Sequence, residues 1–250
     1  MTDSELIVHP DPSTLAADVA ARCLAALAAA IADHGRAVLA LTAGSIMEAI
    51  WQAVADSPDR DTVSWADVDV VWADERFVPT DSPDRNVTAS ERILFDHPPF
   101  FEARHFIAPA ADGQLDLDQA AASYGADLAG IRRASDSGPL PAFDVVLLGL
   151  GPDGHCASLF PDHPGTRDET QPVIAVRNSP KPPPERLSFT FDTLNGSAEV
   201  WFVAAGEGKA DAVALAHSEP DRTKVPSAGV HGRERTLWLV DADAAAKLSH

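Results

Sequence analysis

FDVVLLGLGPDGHCASLFP, residues 143–161, decides what kind of sheet this chain builds. Val145–Leu148 is apolar without interruption, so it reads as a strand covered on both faces rather than one with a wet side. It breaks at Gly149-x-Gly151-x-x-Gly154, and His155 stands directly after the bend. Runs of the same kind recur at RAVLALT (36–42), VDVVWA (68–73), PVIAVR (172–177), LSFTF (187–191), VWFVAA (200–205) and TLWLVD (236–241), and RHFIAP (104–109) reads as extended. Between them lie helical patterns. In DPSTLAADVAARCLAALAAAIADHG (11–35), Leu15, Val19, Leu24, Leu27 and Ile31 share a face, Asp11 or Ser13 caps the start and Gly35 supplies the stop. Further helices are expected over 46–57, 86–95, 116–134, 208–217 and, to close the chain, 241–249. Buried strands alternating with helices predict an α/β fold in three layers: a mainly parallel open sheet with helices on both faces. No repeat or long linker divides the chain, so one domain over 1–250 is expected.

The chain has 250 residues, 45% of them hydrophobic and 23% charged, enough for a substantial core. No bilayer-spanning apolar run is read in it, and MTDSELIVHPDP carries acids where a signal peptide would carry bases. A cytoplasmic protein with no membrane partner is expected. Cys23 and Cys156 make no disulfide framework and are expected to be reduced. The net charge of −19 argues against a nucleic-acid partner, which requires a basic stripe. In such a field, a cation within a glycine-rich or proline-stiffened loop needs a reason.

Open parallel sheets bind ligands beyond the carboxyl ends of their strands, where three unusual loops fall. The first, LTAGSIMEA (41–49), is a strand, a small-residue turn and a helix start. Gly44 and Ser45 there suit a phosphate, while the lysine of a Walker loop is missing. The second, DERFVPTDSPDRN (74–86), sends Asp74, Glu75 and Arg76 out together. Arg76 can donate a planar fork to a phosphate or carboxylate, with an acid to orient it or to bind sugar hydroxyls. An arginine between two acids is equally an ordinary salt-bridged turn.

The third loop is the opening stretch. A dinucleotide site would need a long helix after the last glycine and an acid at the end of the next strand. HCASLFPDHPGTRD instead holds two prolines, and Asp168 and Glu169 precede the next strand, so the fingerprint fails in context. What remains is a bend presenting His155, a proton acceptor at neutral pH, with Asp153 two residues before it. No metal-ligand spacing surrounds it, and Cys156 reads as small filler.

These loops, with NSPKPPPERLSFTFDTLN (178–195), GEGKADAV (206–213) and VPSAG (225–229), resemble the 6-phosphogluconolactonases over nearly the whole chain. The resemblance implies the fold shared with glucosamine-6-phosphate deaminases and ribose-5-phosphate isomerases. It implies a hydrolase of the oxidative pentose phosphate pathway that needs no metal or cofactor. Carried over by position, His155 is the catalytic histidine, Asp153 and Gly154 its preceding loop, Arg76 and Asp74 the DER motif, Gly44 and Ser45 the phosphate turn, and Lys209 a later substrate-binding lysine. Its partner would be a phosphorylated sugar lactone, and the chain is expected to act as a monomer, with a weak dimer left open.

The implied reaction has His155 take a proton from water as it attacks the lactone carbonyl of 6-phospho-D-glucono-1,5-lactone. Arg76 or a backbone N–H of the bend would hold the oxyanion, and Asp153 would cap the loop or hold the ring. The family usually has two glycines before Ser, often followed by Thr-Pro. This chain has Ala43-Gly44-Ser45-Ile46-Met47, so the family's Thr hydroxyl is missing and Thr42 is the residue that would supply one instead. A deaminase of the same fold carries a Glu just before the proline, where this chain has Phe160. A sugar-phosphate-sensing regulator would add a DNA-binding helix pair, for which no segment is spare.

Overall fold

The structure, a computed structural model, describes residues 4–134, 136, 138–167 and 171–248; Asp168, Glu169 and Ser249 lie outside them. Seven strands form the main sheet: β1 (Ser4–His9), β2 (Ala37–Leu41), β3 (Val68–Trp72), β5 (Arg104–Phe106), β6 (Val145–Gly149), β9 (Glu199–Ala204) and β10 (Arg235–Asp241). Their order is β1-β10-β9-β6-β2-β3-β5, and every pairing is parallel.

The alternation inside these strands builds the layers. In β2, Val38 and Ala40 face one core while Ala37, Leu39 and Leu41 face the other. In β6, Val146 and Leu148 oppose Val145 and Leu147 in the same way. One face is covered by α1 (Pro12–His34) and α2 (Ser45–Asp56), with the short α3 (Asn86–Ser90) running into a π-helical turn at Glu91–Phe95. The other is covered by α4 (Leu117–Gly130) and α6 (Ala210–Ser218), with α5 (Phe191–Asn195) packed beside them.

Helix α1 begins and ends as its sequence dictates. The Asp11 side chain accepts from the Thr14 N–H, and Gly35 closes the helix in the left-handed region at φ 77°. By length and composition alone this helix could cross a membrane, contrary to the sequence reading. Here Leu15, Val19, Leu24 and Leu27 are buried against the sheet and α2, the role of a core helix.

Three features depart from the sequence reading. SELIVH is a strand, β1, whose half-exposed edge position hides the buried pattern of its neighbours. DER does not leave the sheet as a loop: Asp74–Arg76 is β4, antiparallel to β8 (Arg186–Phe189), which pairs with β7 (Val173–Val176) in a separate three-stranded sheet. PVIAVR and LSFTF therefore belong to that second sheet. The closing stretch is a chain of turns rather than a helix, because the Asp241 carboxylate accepts from the N–H groups of Ala244 and Gly206 and folds the chain back.

Candidate active site

Strands β2 and β6 pair at only two positions, Leu39↔Val145 and Ala40↔Val146, and then part. Where the ladder ends, the Thr42 hydroxyl bridges the gap, donating to the Leu147 carbonyl at 3.1 Å and accepting from the Gly149 N–H at 3.1 Å. The parting strands open a cleft of about 590 Å³ at their carboxyl ends. The Thr42 O–H is thus donated to the Leu147 carbonyl rather than turned to the cleft.

His155, Arg76, Gly44, Ser45, Asp74 and Lys209 all line this cleft, although they come from four separate parts of the chain. Asp153 and Gly154 stand behind its wall. Gly154 is needed for its backbone: φ is 82°, and a Cβ there would come within 2.9 Å of the Val225 side chain. Gly151 is needed for room, since a Cβ would fall 2.0 Å from Nδ1 of His155. The bend is closed by the Gly151 N–H donating to the His155 carbonyl at 2.8 Å and the Gly154 N–H to the Gly151 carbonyl at 3.0 Å.

This tight loop swings the Asp153 carboxylate onto Nδ1 of His155 in a very short hydrogen bond. Burial alone would raise the Asp153 pKa, but the bond and charge of His155 and the nearby Lys181 ammonium hold it well below the carboxylate range. An ionised Asp153 can only accept, so Nδ1 carries the proton of this bond. Asp153 is thus hydrogen-bonded to the imidazole two residues after it. The imidazole also packs on the buried Phe160 ring, 4.6 Å between centroids.

Asp74 does not touch the Arg76 guanidinium. It is buried, accepting from Ser158 Oγ at 2.7 Å and Asn86 Nδ2 at 3.1 Å. Glu75 accepts the main-chain N–H groups of Arg76, Asn86 and Val87, which fixes the start of α3. Arg76 is steered instead by the Asp84 carbonyl, to which Nη1 donates at 2.8 Å. At the α2 N-terminus Gly44 has φ 143° and no side chain caps the helix, so the first amides remain free for an anion.

Lys209 stands at the start of a helix, as the sequence predicts. It ends a 3₁₀ turn, Glu207–Lys209, and occupies the N-cap of α6, where the helix dipole disfavours a cation. Its ammonium donates to the Leu150 carbonyl at 2.5 Å. Burial, and then the charge of Lys181, push its pKa down, partly offset by Asp153.

Two cations were not singled out in the sequence. Lys181 lies 3.4 Å from Nδ1 of His155 and 3.7 Å from Asp153 Oδ1. Arg186 is buried across the Phe160 ring, and its guanidinium donates to the carbonyls of Lys181, Pro182 and Pro183 at 3.0, 3.1 and 3.2 Å. Their only sequence signal was a lysine and an arginine inside the proline-stiffened stretch NSPKPPPER. Among the described residues the lining thus holds four cations (Arg76, Lys181, Arg186 and Lys209) and one carboxylate (Asp74), a cationic cleft within a chain of net charge −19.

A family model described as glucosamine-6-phosphate isomerases/6-phosphogluconolactonase matches residues 10–238. The chain belongs to this family. A 6-phosphogluconolactonase of Streptomyces coelicolor is 44% identical across 99% of this chain and 96% of that protein. One from Mycobacterium tuberculosis is 42% identical across 98% of each. Among solved structures, a Trypanosoma brucei 6-phosphogluconolactonase superposes with a TM-score of 0.84 at 24% identity, covering 100% of both chains. A monomeric glucosamine-6-phosphate deaminase reaches 0.76 at 22% identity over 97% of this chain and 99% of its own. At that identity the two structures establish the shared fold, and both branches of the family carry it.

Proposed function

We propose that this chain hydrolyses 6-phospho-D-glucono-1,5-lactone to 6-phospho-D-gluconate, the lactonase step of the oxidative pentose phosphate pathway. The relatives at 42–44% identity over nearly their full length are lactonases by name. The observation that carries the mechanism is the Asp153–His155 pair at the rim of a cationic cleft.

The lactone is an activated ester, so one base and one water suffice. Nε2 of His155, which has no protein partner among the described residues, takes a proton from water as the water oxygen bonds to the carbonyl carbon. Asp153 stabilises the imidazolium that results. When the tetrahedral intermediate collapses, the C1–ring oxygen bond breaks and the imidazolium returns the proton to the ring oxygen. The phosphate sits against Gly44, Ser45 and Lys209, which line one cleft and offer it the uncapped amides of α2 and a half-buried ammonium. Phe160 argues against the deaminase branch: a phenyl ring occupies the place of that branch's proton-transferring Glu, and it is sealed beneath His155.

The substrate also decays unaided, so the test compares rates of lactone loss with and without protein, in the presence of chelator. His155→Gln is expected to lower kcat by about 10²–10⁴ with little change in KM. A variant within about threefold of the parent would remove His155 from the chemistry.

A further inference from the structure

We propose that Lys181 is the catalytic cation that holds the negative charge developing on the lactone carbonyl oxygen. The proposal rests on His155 being the base, since that fixes where the new charges appear.

Proton transfer to His155 creates two charges at once: a positive imidazolium and a negative carbonyl oxygen. The structure places one opposite charge for each. Asp153 is bonded to Nδ1, on the side where the positive charge arises. Lys181 is the cation in direct reach of the same pair, 3.4 Å from Nδ1 and 3.7 Å from Asp153 Oδ1. Before reaction Lys181 and Asp153 balance each other beside a neutral ring. After proton transfer Asp153 is taken up by the imidazolium, and the ammonium is repelled by that ring unless an anion lies next to it. The oxyanion, formed on the carbon attacked by the water that His155 deprotonates, meets that requirement. The ammonium therefore gains an interaction that the ground state lacks, which is what lowers a barrier.

Among the described residues, no other lysine or arginine lies within 4 Å of the Asp153 carboxylate. The N–H groups of Gly149, Gly151 and Gly154 bond to Thr42 Oγ1 and to carbonyls within the bend. Arg186 spends its guanidinium on three carbonyls and Ser158. Lys209 is drawn by one N–H to the Leu150 carbonyl, and Arg76 by one to that of Asp84, away from Nδ1 of His155. Lys181 is instead presented on a fixed backbone. Its carbonyl accepts from Arg186 and from Ser179 Oγ at 2.9 Å, and its N–H donates to Ser179 Oγ at 3.3 Å. Only the side chain is left to move, so little ordering is needed when charge develops.

The charge balance is simple. Water forms the new C–O bond and its proton goes to Nε2. The carbonyl π pair moves onto oxygen beside Lys181 Nζ, then returns as the ring C–O bond breaks and the ring oxygen takes the proton. Lys181 keeps all its protons throughout.

The test is steady-state kinetics of Lys181→Met and Lys181→Arg on the phosphorylated lactone, with His155→Gln and thermal midpoints measured in parallel. Lys181→Met is expected to lose about 10²–10³ in kcat with KM within about threefold, and Lys181→Arg to recover at least tenfold of that loss. A rise in KM with kcat kept would make Lys181 a ground-state substrate holder and overturn the proposal. A kcat loss below about threefold would overturn it too, as would a loss that Arg does not restore and that comes with a fallen midpoint. If His155→Gln keeps its activity, the base assignment itself fails; if that variant is inactive and Lys181→Met is not impaired, only the role of Lys181 fails.

Discussion

A carboxylate two residues before an imidazole is common in sequences; what makes it useful here is that the intervening glycine is left-handed. With Gly154 at φ 82° the chain doubles back and carries Asp153 to Nδ1, while Gly151 clears the space beneath the ring. Gly151→Ala is therefore expected to displace the imidazole and lower kcat by about tenfold or more, measured on folded protein with an unchanged far-UV spectrum. Asp153→Asn keeps the shape but loses the charge, and a fall of about a hundredfold or more in kcat is expected, since the ring is no longer held in the right tautomer. Lys209→Ala is expected to raise KM several-fold with kcat little changed. Because burial and Lys181 lower the Lys209 pKa below its ordinary 10.5, its charge is lost earlier as pH rises. KM of the parent should accordingly climb at a lower pH than an exposed lysine would give, and the climb should vanish in Lys209→Ala. Much of this was legible from residue type and position: His155 after a glycine bend, a lysine against a helix dipole. Lys181 and Arg186 were not, because their partners are backbone carbonyls and a side chain 26 residues away, none of which a local pattern records.

Among the elements, the junction of β2 and β6 governs the cleft. Two ladder pairs and one threonine hydroxyl hold the strands together just below the point where they diverge. Thr42→Val would leave the buried Leu147 carbonyl and Gly149 N–H without that partner, at about 1–3 kcal/mol. For a chain of this size a fall of a few degrees in thermal midpoint is expected, and differential scanning calorimetry reads it directly. The sequence disclosed the parallel sheet and its covering helices because strands buried on both faces are apolar throughout. It concealed β1, an edge strand with Leu6 and Val8 exposed, and β4, three residues long and charged. Charged residues survive in β4 because Asp74 and Glu75 are satisfied by Ser158, Asn86 and main-chain amides, contacts made only once the fold is complete. The closing stretch misled for the opposite reason, alanines suggesting a helix where Asp241 binds two amides and bends the chain.

For the whole molecule, charge sets the response to solution conditions. Asp11 is pulled from 3.8 to about 2 by the hydroxyl of Ser13 and the amide and hydroxyl of Thr14, and Asp18, Asp112, Asp118, Asp153 and Asp221 are also held low. As pH falls, the unfolded chain binds protons at these groups before the folded one does. Their stabilisation is whole above about pH 5 and is lost on the way down toward pH 2. Glu75, Glu91 and Asp144, raised by burial, act in the opposite direction. The larger set should prevail, so a thermal midpoint that did not fall between about pH 5 and pH 2 would contradict this balance. The two sulfur atoms of the chain's cysteines have a practical consequence. Cys23 and Cys156 are 1% and 0% exposed, and burial lifts both thiols, Cys23 to about 12. Maleimide reagents should find neither, so one cysteine engineered onto the surface would accept a fluorophore at a single address with the native pair left in place.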